Sequence, residues 1–161
     1  MKRSIIIMSL LSMLPFWSCL NADGGRSTAH IVSFQYHYDG TIGGNSCWYK
    51  VKVEDGQPVM TIEELEYFNQ GERTDTVGMD FMEALEEVCR KHKVWKYDGF
   101  KKTNPYVCDG SGYSLYIKYD NGKTVDSYGM NMSPSGYHEF AKDIHDLFEP
   151  YCEKTRIHRE E

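Results

Sequence analysis

Apolar and polar side chains alternate from Ile31 to Tyr38, with Val32, Phe34, Tyr36 and Tyr38 set against Ile31, Ser33, Gln35 and His37. A period of two is the pattern of a half-buried strand, so this segment predicts the first strand of a sheet. Asp39–Ser46 is rich in glycine and predicts a loop or wide hairpin. The alternation resumes over Cys47–Val53, with Cys47, Tyr49, Val51 and Val53 on one face and Trp48, Lys50 and Lys52 on the other. Asp55-Gly56 then predicts a two-residue type I′ turn into a third strand, Val59–Leu65. Pro58 falls at the start of that strand, where its missing donor matters little. Asn69–Asp75 is polar throughout and predicts the end of this part of the sheet.

The period then changes. Met82, Leu85, Val88 and Cys89 recur at three and four residues, with Glu83, Glu86, Glu87, Arg90 and Lys91 on the other side. This predicts a helix over Met79–His92. Thr76 or Asp75 is the expected cap, and acids early with bases late match the helix dipole. Trp95–Gly112 is irregular. Its Trp95, Tyr97, Phe100 and Tyr106 are large apolar groups, which predicts packing across an edge of the sheet. Tyr113, Leu115, Ile117 and Tyr119 alternate with Ser114, Tyr116 and Lys118, followed by Asn121-Gly122 and a returning strand over Lys123–Tyr128. Both residues of the Asn-Gly pair tolerate positive φ, which predicts a second I′ turn. YKVKVEDGQPV at 49–59 aligns without gaps on LYIKYDNGKTV at 115–125, which reads either as a duplicated strand–turn–strand–helix unit or, the favoured reading, as two hairpins alike because such turns demand the same residues. Ser133-Pro134 predicts a last helix start, with Tyr137, Phe140, Ala141, Ile144, Leu147 and Phe148 as its apolar stripe. Pro150 is expected to end or kink it.

The elements sum to an α+β domain of about five antiparallel strands with two helices on one face, in the order βββ-α-ββ-α. The expected organisation is a signal segment over 1–18, a tether over 19–29, one folded domain over 30–153 and a charged tail over 154–161.

The first eighteen residues carry the clearest address. Lys2-Arg3 precedes an apolar run, Ser4–Leu14, that Pro15 breaks before Phe16-Trp17-Ser18-Cys19. A run of this length is too short to span a bilayer and predicts a secretory signal. Cys19 directly after Ser18 resembles a bacterial lipoprotein lipobox of the looser Bacteroidetes type, with Phe16 where leucine is usual. The resemblance implies cleavage before Cys19, lipidation of that residue and a stable membrane anchor through several acyl chains. Leu20–Ala29 is small, polar and glycine-rich, as a tether would be.

Charge and cysteines narrow the partners. The net charge is −6; loss of residues 1–18 leaves 16 basic residues against 24 acidic, or −8. With no clustered Lys/Arg run, nucleic acid and anionic headgroups are not expected partners. Besides Cys19 there are Cys47, Cys89, Cys108 and Cys152, whose pairing the sequence leaves open. No spacing among them suits zinc, and no other metal or cofactor is expected.

Motifs for chemistry fail one by one. Asp109-Gly110-Ser111-Gly112 resembles part of a calcium loop, but the ligand positions at the two ends fall on Val107 and Lys118. No G-x-S-x-G is present, and Ser111 and Ser135 lack a neighbouring base. His92 with Cys108 could form a Cys–His pair only through the fold. His138 and His145 share a helix face two turns apart, which suits a polar flank better than a metal. Asp39, Glu54, Asp55, Asp109 and Asp120 sit at turns, where carboxylates bond their own backbone.

Aromatic side chains remain, with 12 Tyr, 7 Phe and 3 Trp. Trp48, Tyr116 and Tyr128 fall on the strand face opposite the expected core. There they either pair across strands or offer rigid contact area to an envelope protein or glycan. The expected function is therefore a lipid-anchored envelope domain that binds or scaffolds, with no catalytic residue assigned. The competing classes are a small hydrolase using an aspartate or histidine near the Trp95–Gly112 segment, and an inhibitor or immunity-type partner protein. From Ile31 to Tyr137 the segments SFQYHYDGTIGGNS, WKYDGF, DGSGYSLYIKYDNGK and GMNMSP are similar to small uncharacterised lipoproteins of gut Bacteroidetes. This resemblance implies the lipidated Cys19 and carries no activity with it.

Overall fold

The computed structural model describes residues 29–40, 46–66, 69–107 and 110–157, with 65–66, 69–70 and 153–157 described in backbone only. Cys19, the signal segment and the tether, as well as Cys108 and Asp109, lie outside the described residues.

The chain is α+β. In order it forms β1 (Ile31–Asp39), β2 (Ser46–Glu54), β3 (Gln57–Glu66), β4 (Asn69–Thr76), α1 (Met79–Lys91), β5 (Lys101–Thr103), β6 (Gly112–Tyr119), β7 (Thr124–Met130) and α2 (Tyr137–Ile157). The strands make one seven-stranded sheet in the order β4-β3-β2-β1-β6-β7-β5. Every neighbouring pair is antiparallel except β5 and β7, which run parallel. The expectation of about five antiparallel strands is thus corrected to seven in a mixed sheet. The additions are the edges. β4 (NQGERTDT) carries no apolar residue, and β5 is three exposed residues long, so neither buries a stripe that a periodicity could reveal. Both are held through backbone pairing to their neighbours, with Thr61 and Thr74 hydroxyls 3.1 Å apart across β3 and β4.

Inside the sheet the period-two reading holds. Phe34, Tyr36, Tyr49, Val51, Met60, Ile62, Leu115, Ile117 and Val125 all point into one core with Phe81, Met82, Leu85 and Cys89 of α1 and Phe140, Ile144, Phe148 and Cys152 of α2. Phe148 organises it, stacked 4.5 Å from Tyr49 and set edge-on 5.2 Å from Phe81, so one ring joins both helices to the sheet. Ile31 departs from the expected alternation. The β1–β6 register slips between Ile31 and Ser33, and this bulge turns Ile31 into the core.

Two turns differ although their sequences look alike. Asp55 and Gly56 both take positive φ, 49° and 80°, as a type I′ turn requires. At the β6–β7 turn only Gly122 does, at 81°, and the loop holds three residues, Asp120-Asn121-Gly122. The expected two-residue turn is corrected here because Asp120 is bound elsewhere. Its N–H donates to the His30 carbonyl at 2.9 Å and its carboxylate accepts the His30 N–H at 3.2 Å.

The helix ends also shift. α1 is capped by Gly78, because Thr76 is still paired in β4 with Val59. Lys93 in the left-handed region, φ 54°, closes the far end. α2 runs through Pro150 to Ile157. Pro150 is exposed, so the carbonyl it leaves unpaired faces water, while Phe148 and Cys152 on either side remain buried.

Candidate functional site

Both helices bury their stripes on the inner face of the sheet, and no described element covers the outer face. Cross-strand register places its side chains in rows. One row reads Glu72, Glu63, Trp48, His37, Ser114 and Tyr128 from β4 to β7. The next reads Thr74, Thr61, Lys50, Gln35, Tyr116 and Asp126. Trp48, Tyr116 and Tyr128 therefore share one face, as the alternation predicts. Trp48 and Tyr128 lie three strand spacings apart, about 14 Å, and Tyr116 stands diagonally next to Tyr128.

The three rings are not equivalent. Trp48 is half-buried, stacked at 3.9 Å and 12° on His37, with the Lys50 ammonium 5.0 Å from its ring centre. Lys50 is in turn paired with Glu63. Burial against the indole lowers the His37 pKa from its ordinary value, so a neutral imidazole is favoured in the stack. Tyr116 and Tyr128 are 37% and 38% exposed and offer ring faces and hydroxyls to solvent. Gln35 and Ser114 lie between them and Trp48. Asp126, opposite Tyr116, is bonded by Lys101 at 2.6 Å. The combination is a fixed indole, two open phenols and short polar groups on a stiff sheet.

Other clusters do different things. His92 Nε2 lies 2.7 Å and Lys91 Nζ 2.6 Å from the same Asp143 oxygen, tying the end of α1 to α2. Hydrogen bonds from His92 and then Lys91 hold the Asp143 carboxyl down at about 2. These residues line an open depression of about 440 Å³ with Gly136, Glu139 and Lys142. None of the six carries a hydroxyl or thiol. His145 Nδ1 and the Tyr49 hydroxyl share a hydrogen bond of 2.8 Å, so His145 is engaged with the sheet and is more than a polar flank. Among the described residues no group of three His, Cys, Asp or Glu side chains is arranged to hold a metal, and no helix is long and apolar enough to cross a membrane.

Sequence reasoning missed two features. Tyr106 is 92% exposed, against the expectation that it packs on the sheet edge, and it stands beside the partly exposed Val107. His92–Asp143 joins residues far apart in the chain and has no local signal. No known protein-family model matches the chain, and no curated protein matches it significantly.

Proposed function

We propose that the chain is a cell-envelope lipoprotein, anchored in a membrane through lipid on Cys19, whose folded domain binds an envelope protein or glycan on the outer face of its sheet. The observation that carries the binding reading is the open face itself. It presents Trp48, Tyr116 and Tyr128 together with Gln35, Ser114 and Asp126, in register, on seven strands whose other face is fully committed to the core. Rigid aromatic rings with adjacent short hydrogen-bonding groups give large contact area at low entropy cost. No catalytic role is assigned to any residue. The −8 charge of the processed chain fits a protein that is repelled by anionic headgroups and is held at the membrane by acyl chains.

The test is binding of the full chain, in detergent, to fractionated envelope proteins and glycans. Tyr116→Ala with Tyr128→Ala is expected to weaken the captured interaction by roughly tenfold or more, since exposed aromatic anchors contribute over 1 kcal/mol each. Unchanged binding with an unchanged melting temperature would sink the assignment of this face.

A further inference from the structure

Two thiols lie at the same end of the inner face, where α2 crosses β2 and β3. Cys47 stands directly opposite Glu64 in the β2–β3 register, and Tyr49 follows two residues later on the same side. From above, α2 brings His145, Phe148 and Cys152, spaced three and four residues apart, along a single stripe. His145 Nδ1 is hydrogen-bonded to the Tyr49 hydroxyl at 2.8 Å, and Phe148 stacks on the Tyr49 ring. One turn further, the Cys152 thiol reaches both that same hydroxyl and the Glu64 carboxyl. The Cys47 thiol reaches the hydroxyl from the strand side. The two thiols thus flank one tyrosine hydroxyl, Cys47 from the strand and Cys152 from the helix packed over it.

From this geometry we infer that Cys47 and Cys152 are a disulfide-forming pair that staples the end of α2 to β2. Neither thiol is bonded to another cysteine in the structure, and Cys89 is buried apart from them beneath α1, beside Glu86. Cys47 is half-buried and Cys152 fully buried, which sets the order of events. Cys47, deprotonated, attacks a small disulfide oxidant, forming a mixed disulfide and releasing one thiol of the oxidant. Cys152 then loses its proton and attacks the Cys47 sulfur. The second thiol leaves, the Cys47–Cys152 bond is formed, and the oxidant has been reduced by two electrons. Burial raises the pKa of both thiols, so the first step is slow at neutral pH. Pro150 removes one helical hydrogen bond just before Cys152, which leaves the last turns of α2 freer to close the remaining distance.

Incubating the purified full chain with oxidised glutathione, then alkylating free thiols and mapping peptides by mass, tests the pair. The expected product is a peptide linking Cys47 to Cys152, with a melting temperature several degrees above the reduced chain. Cys152→Ser is expected to stop at a glutathione adduct on Cys47, and Cys47→Ser to leave Cys152 unmodified. Alkylation of both residues after oxidation, or a link from either to Cys89 or Cys108, overturns the inference. It stands apart from the binding reading, since neither cysteine is on the outer face.

Discussion

At the scale of single residues, the inner face of the sheet carries tyrosines whose hydroxyls are buried and matched. Tyr36 and Tyr137 share a hydrogen bond of 2.8 Å, and Tyr113 meets Ser127 at the same distance. Burial raises the pKa of Tyr36, Tyr113 and Tyr137 above the ordinary phenol value, so all three stay protonated through physiological pH. A buried hydroxyl that loses its partner bears a desolvation penalty of about 1–3 kcal/mol, whereas removing both members of a pair leaves nothing unsatisfied. Tyr36→Phe alone should therefore destabilise the domain by about 1–2 kcal/mol. Adding Tyr137→Phe should recover part of that loss, measured by denaturant unfolding. Strictly additive losses would show that the 2.8 Å contact contributes nothing. On the outer face the same residue types are set differently. Trp48 is clamped between His37 and Lys50, while Tyr116 and Tyr128 remain open.

At the scale of elements, α1 and α2 meet through Phe81 and Phe148 in the core and through Asp143 at the surface, where His92 and Lys91 converge. The Asp143 carboxyl is lower in the fold, at about 2, than its ordinary value of 3.8. A group depressed on folding adds stability above its unfolded pKa and loses it as pH falls through the folded one. Melting temperature should thus fall between pH 3.8 and about 2 partly through this carboxyl. Asp143→Asn should flatten the fall across that window while changing stability little within it. An unaltered acid profile in the variant would mean the tie adds nothing to the fold.

Element type was legible wherever a stripe is buried: β1, β2, β3, β6, β7 and both helices declare themselves by period. β4 and β5 do not, because an edge strand held by backbone pairing needs no apolar side chains. The turn at Asp120–Gly122 was misread because a tertiary bond to His30 selects a three-residue loop that local preference alone does not favour. The extension of α2 past Pro150 follows from which side of the helix the proline faces, a fact that exists only once the helix is packed.

At the scale of the whole molecule, β1 is the seam. It pairs with β2 on one side and with β6, from the second half of the folded chain, on the other, so the sheet closes only when both halves of the chain meet. Among the described residues, the fully buried apolar side chains of the sheet all lie on one side of it. The outer face was legible to the extent that Trp48, Tyr116 and Tyr128 alternate outward; their spacing across four strands, and the His37 and Lys50 clamp on Trp48, depend on register and had no signal in any single strand. The proposed binding function requires that this face, and no other exposed aromatic surface, meet the partner. Hydroxyl-radical footprinting of the full chain with and without envelope extract compares all the rings in one experiment. Tyr106, 92% exposed, and Trp95, 39% exposed, belong to none of the outer-face rows and serve as internal controls. Protection of Trp48, Tyr116 and Tyr128 with Tyr106 and Trp95 still reactive is the predicted result; protection confined to Tyr106 and Trp95, or of no ring at all, would contradict it.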